Sequence, residues 1–140
     1  MARVSTYLNF QGQAEEAFGF YAKTFGTEVT QLTRYAQLPD GGAELPAEER
    51  GLVMHAELPI LTGHVVMATD MLPSMRQETR IGNNTTLCLE VDSKEEADRL
   101  YRALAEGGSE AMPIADMPWG AYWGATLDCF GIRWMISYTP

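Results

Sequence analysis

His55 and Glu57 stand two residues apart in the run from Val53 to Thr69, VMHAELPILTGHVVMAT, which also holds His64. Alternate residues of an extended strand project from one face, so this imidazole and carboxylate can meet. An imidazole that changes charge near neutrality, held by a carboxylate, is a minimal apparatus for general acid–base catalysis, with His55 as base and Glu57 as its orienting partner. The same pair could grip a cationic ligand, or serve as a structural hydrogen-bonded pair anchoring a loop over the sheet, and the sequence leaves these readings open. A metal held by these two alone would need water or ligand atoms in its remaining positions.

Other residues that could do chemistry gather in two hairpins. If Leu61-Thr62-Gly63 is a three-residue loop with Gly63 left-handed, Ile60 is opposite His64, Glu57 opposite Met67 and His55 opposite Thr69. Met54, Ala56, Leu58 and Ile60 then share an apolar face with Val66 and Ala68, while His55, Glu57 and Pro59 share the other with Val65, Met67 and Thr69, a plausible wall for a cleft. His64 flanks the turn and reads as a surface residue. In the last hairpin, placing Thr126 opposite Arg133 puts Gly124 opposite Met135 and turns Tyr122, Gly124, Thr126, Arg133 and Ser137 inward. Arg133 could clamp an anion through a bidentate contact, or pair with Glu57 or another acid. Gly124 would leave room beside Met135 for a ligand. Cys88 reads either as a reactive thiol or as an inert buried one. Met71, Met75, Met112 and Met117 lie in loop-like stretches, as adaptable contacts or as filling.

The elements that must position these groups recur in the same order twice. A strand over residues 4–10 leads into a helix whose stripe is Ala14, Ala17, Phe18, Tyr21, Ala22 and Phe25, closed by Gly26. A strand is expected over 28–38, a polar loop over 39–51, then the first hairpin. Residues 71–84 break periodicity and read as a connector, or a lid. A strand over 85–91 enters a second helix through the capping box Ser93-Lys94-Glu95-Glu96, with the stripe Ala97, Leu100, Tyr101, Leu104 and Ala105 closed by Gly107-Gly108. A short strand over 109–114 and a hairpin of 121–127 with 132–138 complete the chain. At an offset of 80, Thr6 matches Thr86, Glu15-Glu16-Ala17 matches Glu95-Glu96-Ala97, and Tyr21 matches Tyr101. This predicts an α+β fold of two βαβββ modules in tandem, 1–70 and 85–140, joined by 71–84 in one domain of 1–140.

A chain of 140 residues, 46% of them hydrophobic, is one domain's worth and can bury a core unaided. The net charge of −9 and the scattered Lys and Arg lack a nucleic-acid footprint, and the acidic balance fits solubility or attraction of a cationic ligand. No apolar run reaches membrane-spanning length and the first ten residues lack a signal-peptide core, so a cytoplasmic protein with no membrane partner is expected. Cys88 and Cys129 have no CxxC spacing, so neither a disulfide framework nor a zinc knuckle is suggested.

The stretches TYLNFQGQAEEAFGFYAKTFG, MHAEL, MATD, VDSKEEADRLYRALAEGG and DCFGIRWMI together resemble the PhnB-like branch of the vicinal-oxygen-chelate superfamily, which includes glyoxalase I, bleomycin-resistance proteins and extradiol dioxygenases. The resemblance implies curled mixed sheets, each with its helix on the convex side, that enclose a cleft. In the superfamily's metal enzymes four ligands, usually His and Glu, come from the first and last strands of the modules. Carried over, those positions are Thr6, Met67, Thr86 and Met135. Hydroxyls and thioethers are weak ligands for borderline divalent ions, so no metal and no cofactor is expected. PhnB-like proteins have also been labelled ubiquinone-pathway methyltransferases, yet no Gly-rich strand-to-helix turn for S-adenosylmethionine stands out here. The expected function is therefore to bind a small organic molecule, with His55 and Glu57 as candidate catalytic residues. Thr6, Met67, Thr86, Tyr122, Arg133 and Met135 are the candidate ligand-binding residues. The expected chemistry is a proton-transfer or lyase-type reaction, the alternative being non-catalytic sequestration of a toxic or antibiotic compound. The resemblance further implies a homodimer.

Overall fold

Ala14, Ala17, Phe18 and Tyr21 are fully buried, as one stripe of a helix laid on a sheet requires. They belong to α1 (Ala14–Phe25), which stops at Gly26 in the left-handed conformation, its N–H returned to the Ala22 carbonyl. The computed structural model describes all 140 residues as two units, Met1–Arg80 and Ile81–Pro140. In the first, β1 (Thr6–Phe10), β2 (Gln31–Arg34), β3 (Val53–Leu61) and β4 (His64–Asp70) form a mixed sheet in the order β1-β4-β3-β2. The β1 and β4 strands are parallel and the other neighbours antiparallel. Leu8 and Phe10, Ala56, Leu58 and Ile60, and Val66 and Ala68 are buried and alternate along these strands with residues of the other, open face, and Val53 and Asp70 at strand ends are buried as well. Phe10, Phe18 and Tyr21 meet edge-to-face, centroids 6.2–6.5 Å apart. Burying a side chain such as Phe18 or Leu58 stabilises by about 1.5–3 kcal/mol.

The Gln13 side chain does not cap α1. The cap comes from Asp70, at the end of β4, whose buried carboxylate accepts the Ala14 N–H with one oxygen and the Val53 N–H with the other, both at 2.9 Å. A carboxylate suits the positive end of a helix, and this one also fixes where β3 begins.

The hairpin turn is tighter than the three-residue loop expected. Leu61 pairs with His64 across Thr62-Gly63, and Ile60 is the extra residue of an irregularity between Pro59 and Leu61. Pro59 has no N–H to give the ladder, so a bulge beside it sacrifices little. Glu57 still faces Met67, as expected. The β2 strand is shorter than anticipated because the chain turns at Tyr35–Gln37, with the Arg34 N–H bonded to the Gln37 amide oxygen at 2.7 Å. Residues 71–80 are fastened to the first unit. The Met71 N–H reaches the Phe10 carbonyl, the Ser74 N–H and hydroxyl meet the buried Glu49 carboxylate at 2.8 and 2.5 Å, and the Thr79 N–H meets Gln11.

The second unit repeats the topology with β5 (Leu87–Glu90), α2 (Lys94–Ala105), β6 (Ser109–Asp116), β7 (Tyr122–Leu127) and β8 (Arg133–Tyr138), in the order β5-β8-β7-β6. Ser93 accepts the Glu96 N–H and Glu96 reaches back to the Asp92 N–H, so the expected capping box forms one residue displaced on its return arm. Leu89, Trp134 and Ile136 are buried, as are Ala97, Leu100 and Leu104 of α2. Buried Asp128 takes the Trp134 indole N–H at 2.8 Å and the N–H groups of Phe130 and Ile132, closing the loop 129–131. The sequence reading of two βαβββ modules in an α+β chain therefore holds.

The repeat is not a uniform shift of 80. Met67 and Met135 occupy equivalent places in their sheets, and their parallel-strand neighbours are Tyr7 and Cys88, 81 apart. The helices begin at Ala14 and Lys94, 80 apart. From Tyr7 to the start of α1 is seven residues and from Cys88 to the start of α2 is six, although the links themselves, 11–13 and 91–93, are equal in length.

Candidate functional site

The open face of the first sheet carries two adjacent rows of side chains. One row is Tyr7, Met67, Glu57 and Gln31, in register across β1, β4, β3 and β2. In the next, Asn9 pairs with Thr69 and His55 with Thr33. The His55 Nε2 lies 2.8 Å from Glu57 Oε2, and its Nδ1 lies 3.1 Å from the Tyr7 hydroxyl. An ionised carboxylate can only accept. Nε2–H therefore donates to Glu57, and in the neutral ring Nδ1 accepts from Tyr7. Thr69 and Tyr35 extend the network, the Thr69 hydroxyl bonding the Met54 carbonyl at 2.8 Å and the Tyr35 hydroxyl the Asp70 carbonyl at 3.2 Å. Partial burial pushes the Tyr7 hydroxyl above the ordinary tyrosine value; a hydrogen bond with Thr69 opposes this and Tyr35 adds to it. Tyr7 is thus a protonated phenol at neutral pH, 47% exposed, whose hydrogen points at the imidazole whenever that ring is neutral.

Met67 is where the sequence reading put it, between Tyr7 and Glu57. Thr6 is not. It pairs with Val66 and shares the face of Leu8 and Phe10, where its hydroxyl lies 2.9 Å from His64 Nε2. Tyr7 takes the place assigned to Thr6, and alternation in the strand could have found it, because apolar Leu8 and Phe10 mark the helix-facing parity.

In the second unit, Met135 faces Ala125 on one side and Cys88 on the other. Thr86 precedes β5 and is exposed. The pairing of β7 with β8 is Leu127 to Arg133, one residue from the expected Thr126 to Arg133, because the loop is 129–131. That slip inverts β7. Tyr122 consequently lies on the α2 side, donating to Asp98 at 2.5 Å beneath the Lys94 ammonium, 4.8 Å from its ring centroid. Thr126 is buried opposite Trp134. Gly124 does not leave room beside Met135, since a Cβ there would lie 2.8 Å from the Ile114 backbone. Trp123 and Ala125 take the open-face positions instead. Arg133 is on the open face as expected, with Nε donating to the Gly82 carbonyl at 2.6 Å and Nη2 to Glu110 at 2.9 Å. Burial, then the nearby Glu90, raises the Cys88 thiol above its ordinary value, which disfavours the nucleophilic thiolate.

No three His, Cys, Asp or Glu side chains gather as a set able to hold a metal ion. Met67 has a phenol and the Glu57 carboxylate beside it and Met135 a protonated thiol and Ala125, and neither set supplies the several imidazole and carboxylate ligands that a glyoxalase-type ion needs.

A family model described as 3-demethylubiquinone-9 3-methyltransferase matches residues 2–137. The chain belongs to that family. It is 33% identical to protein PA1353 from Pseudomonas aeruginosa, with a TM-score of 0.85 over 99% of this chain and 98% of that one. The PhnB protein from Bacillus cereus, described as a 3-demethylubiquinone-9 3-methyltransferase, is 27% identical with a TM-score of 0.79, covering 99% and 100%. Protein YjdN of Escherichia coli is 28% identical over 141 residues, 96% of this chain and 93% of its own. A glyoxalase-related enzyme from Fulvimarina pelagi, 18% identical with a TM-score of 0.65 over 100% and 90%, shares the fold. The family's name carries a methyl transfer, and the local geometry gives it little purchase. The N-terminus of α1 is occupied by Asp70 and that of α2 by Ser93, whereas nucleotide-like cofactors commonly use a free helix N-terminus behind a Gly-rich turn.

Proposed function

We propose that the open face of the first sheet binds a small organic molecule and that Glu57, His55 and Tyr7 move a proton to or from it, Tyr7 being the group that meets the ligand. One observation carries this reading: both ring nitrogens of His55 are engaged, one by Glu57 and one by Tyr7, leaving the half-exposed phenol as the outward end of the line. His55 then acts through Tyr7 rather than on the ligand directly. In the base direction the Tyr7 proton passes to Nδ1, giving an imidazolium between Glu57 and a phenolate. The phenolate takes a proton from an acidic C–H of the ligand, and the reverse transfers return it. A phenol held above its ordinary value gives a correspondingly strong base once ionised. Met67 in the same row supplies an adaptable apolar contact, as expected of sites that are mostly apolar with a few placed polar groups.

The test is exchange of C–H for C–D in small ketones and α-hydroxy ketones dissolved in D2O, followed by proton NMR. Wild-type protein should accelerate exchange for at least one compound, and Tyr7→Phe and His55→Ala should each reduce the rate by about a hundredfold. Exchange that survives Tyr7→Phe would refute the assignment. Saturable binding without exchange at any pH would favour sequestration, a reading for which the net charge of −9 would suit a cationic ligand.

A further inference from the structure

We propose a second binding site, for a quaternary or similarly bulky organic cation, on the open face of the second sheet. Glu90 pairs with Ser137 and Ser137 with Trp123, so the three form one row across β5, β8 and β7 on the same face. Two strand spacings put about 10 Å between the backbones of Glu90 and Trp123, with the small Ser137 as the floor between a carboxylate and an indole. Beside this row runs an apolar one, Cys88, Met135 and Ala125. Trp119 forms a corner with Trp123, ring centroids 6.2 Å apart and planes at 69°. Its turn is anchored at both ends, the Met117 N–H on the Ala121 carbonyl at 2.8 Å and the Gly120 N–H on the Met117 carbonyl at 3.0 Å. Trp119 is nevertheless 68% exposed, and exposing so large an apolar ring in a fixed place needs a reason.

The chemistry of the corner selects its occupant. Indole faces attract cations through the ring quadrupole, and more strongly when the cation is poorly hydrated, as a tetraalkylammonium is. Glu90 is exposed and has no ion-pair partner. The basic side chain of this face, Arg133, is otherwise engaged, with Glu110 and the Gly82 carbonyl. A ligand cation would meet two indole surfaces and one free carboxylate, in a chain whose net charge of −9 draws cations towards it.

The test is titration of the full chain with choline, and separately with its neutral isostere 3,3-dimethylbutan-1-ol, followed through indole N–H cross-peaks in nitrogen-15 spectra. Trp134, buried and bonded to Asp128, is the internal reference. Choline should shift the Trp119 and Trp123 signals saturably and leave Trp134 in place, while the neutral alcohol should bind at least about fivefold more weakly. Trp123→Ala should weaken choline binding about tenfold and Glu90→Gln about threefold at low salt. Trp119→Ala removes only an exposed ring, so it keeps the test valid if Trp123→Ala fails to fold, and about threefold weakening is expected. Tyr7→Phe and His55→Ala should leave choline binding unchanged, which separates this site from the one proposed on the first sheet. Equal binding of the alcohol, no saturable shift, or choline affinity unmoved by the Trp119 and Glu90 variants would each overturn the proposal. So would loss of self-association in Trp119→Ala without any change in choline affinity, since the corner would then be a contact between copies.

Discussion

Replacing Asp70 by Asn is expected to cost about 3 kcal/mol, far more than one carboxylate-to-amide change costs at a surface. The carboxylate is 2% exposed and each oxygen accepts one backbone N–H at 2.9 Å, from Ala14 at the start of α1 and from Val53 at the start of β3. Asparagine in the same rotamer keeps one acceptor and turns an NH2 towards the other N–H. The change therefore loses one charge-assisted hydrogen bond and leaves a buried donor unsatisfied, each worth about 1–3 kcal/mol. The helix also loses the negative charge at its N-terminus, about 0.5 kcal/mol more. Asp70→Ala, which orphans both donors, should cost about 4 kcal/mol. At a urea slope near ~1.5 kcal/mol/M the Asn variant's midpoint should fall by about 2 M with the slope unchanged, and Tm by about 10 °C. The measurement is a urea titration followed by far-ultraviolet circular dichroism. A midpoint shift under about 0.5 M would mean that water reaches those N–H groups, and the idea that Asp70 ties β4, α1 and β3 together would fail.

Gly124→Ala should destabilise by about 1–3 kcal/mol, because its Cβ would sit 2.8 Å from Ile114 backbone atoms and β6 must move; thermal unfolding at the wild-type level would show that β6 yields freely. Glu15 is held below the ordinary glutamate value of 4.5, chiefly by its hydrogen bond to Arg34. A depressed folded value means that the pair stabilises above about pH 4.5 and that this contribution fades as pH falls through the folded value. Glu15 and Arg34 are 59% and 37% exposed, so the effect is only a few tenths of a kcal/mol. Glu15→Gln should accordingly be slightly less stable than wild type at pH 7 in low salt and equal to it at pH 2.5. A difference that persists at pH 2.5 would assign the effect to something other than the charge.

Much of this architecture is legible in the residues, and the misplacements share one origin. Both helices could be read because their stripes repeat over twelve residues and end in identifiable caps. The register of Glu57 on Met67 survived an incorrect loop length because the bulge at Ile60 absorbed the difference. The first-strand residue failed because the strand was aligned on the helical offset of 80, while β1 and β5 match at an offset of 81. A one-residue error along a strand is a whole face, so it exchanges Thr6 for Tyr7.

The error in β7 is the same slip without a safeguard. In β1, Leu8 and Phe10 against Tyr7 and Asn9 distinguish buried from open positions. In β7, Tyr122, Gly124 and Thr126 against Trp123, Ala125 and Leu127 give two mixed sets, and only the loop 129–131 decides between them. That ambiguity has a functional content. Leu8, Ala68, Leu89 and Ile136 show the two units preserving an apolar face towards their helices. The opposite faces have diverged around the equivalent Met67 and Met135, the first into the hydrogen-bonded line of Glu57, His55 and Tyr7 and the second into Cys88, Ala125 and the paired indoles. A repeat conserves what its core needs, so the positions where the halves disagree on the open faces are where a ligand would be read.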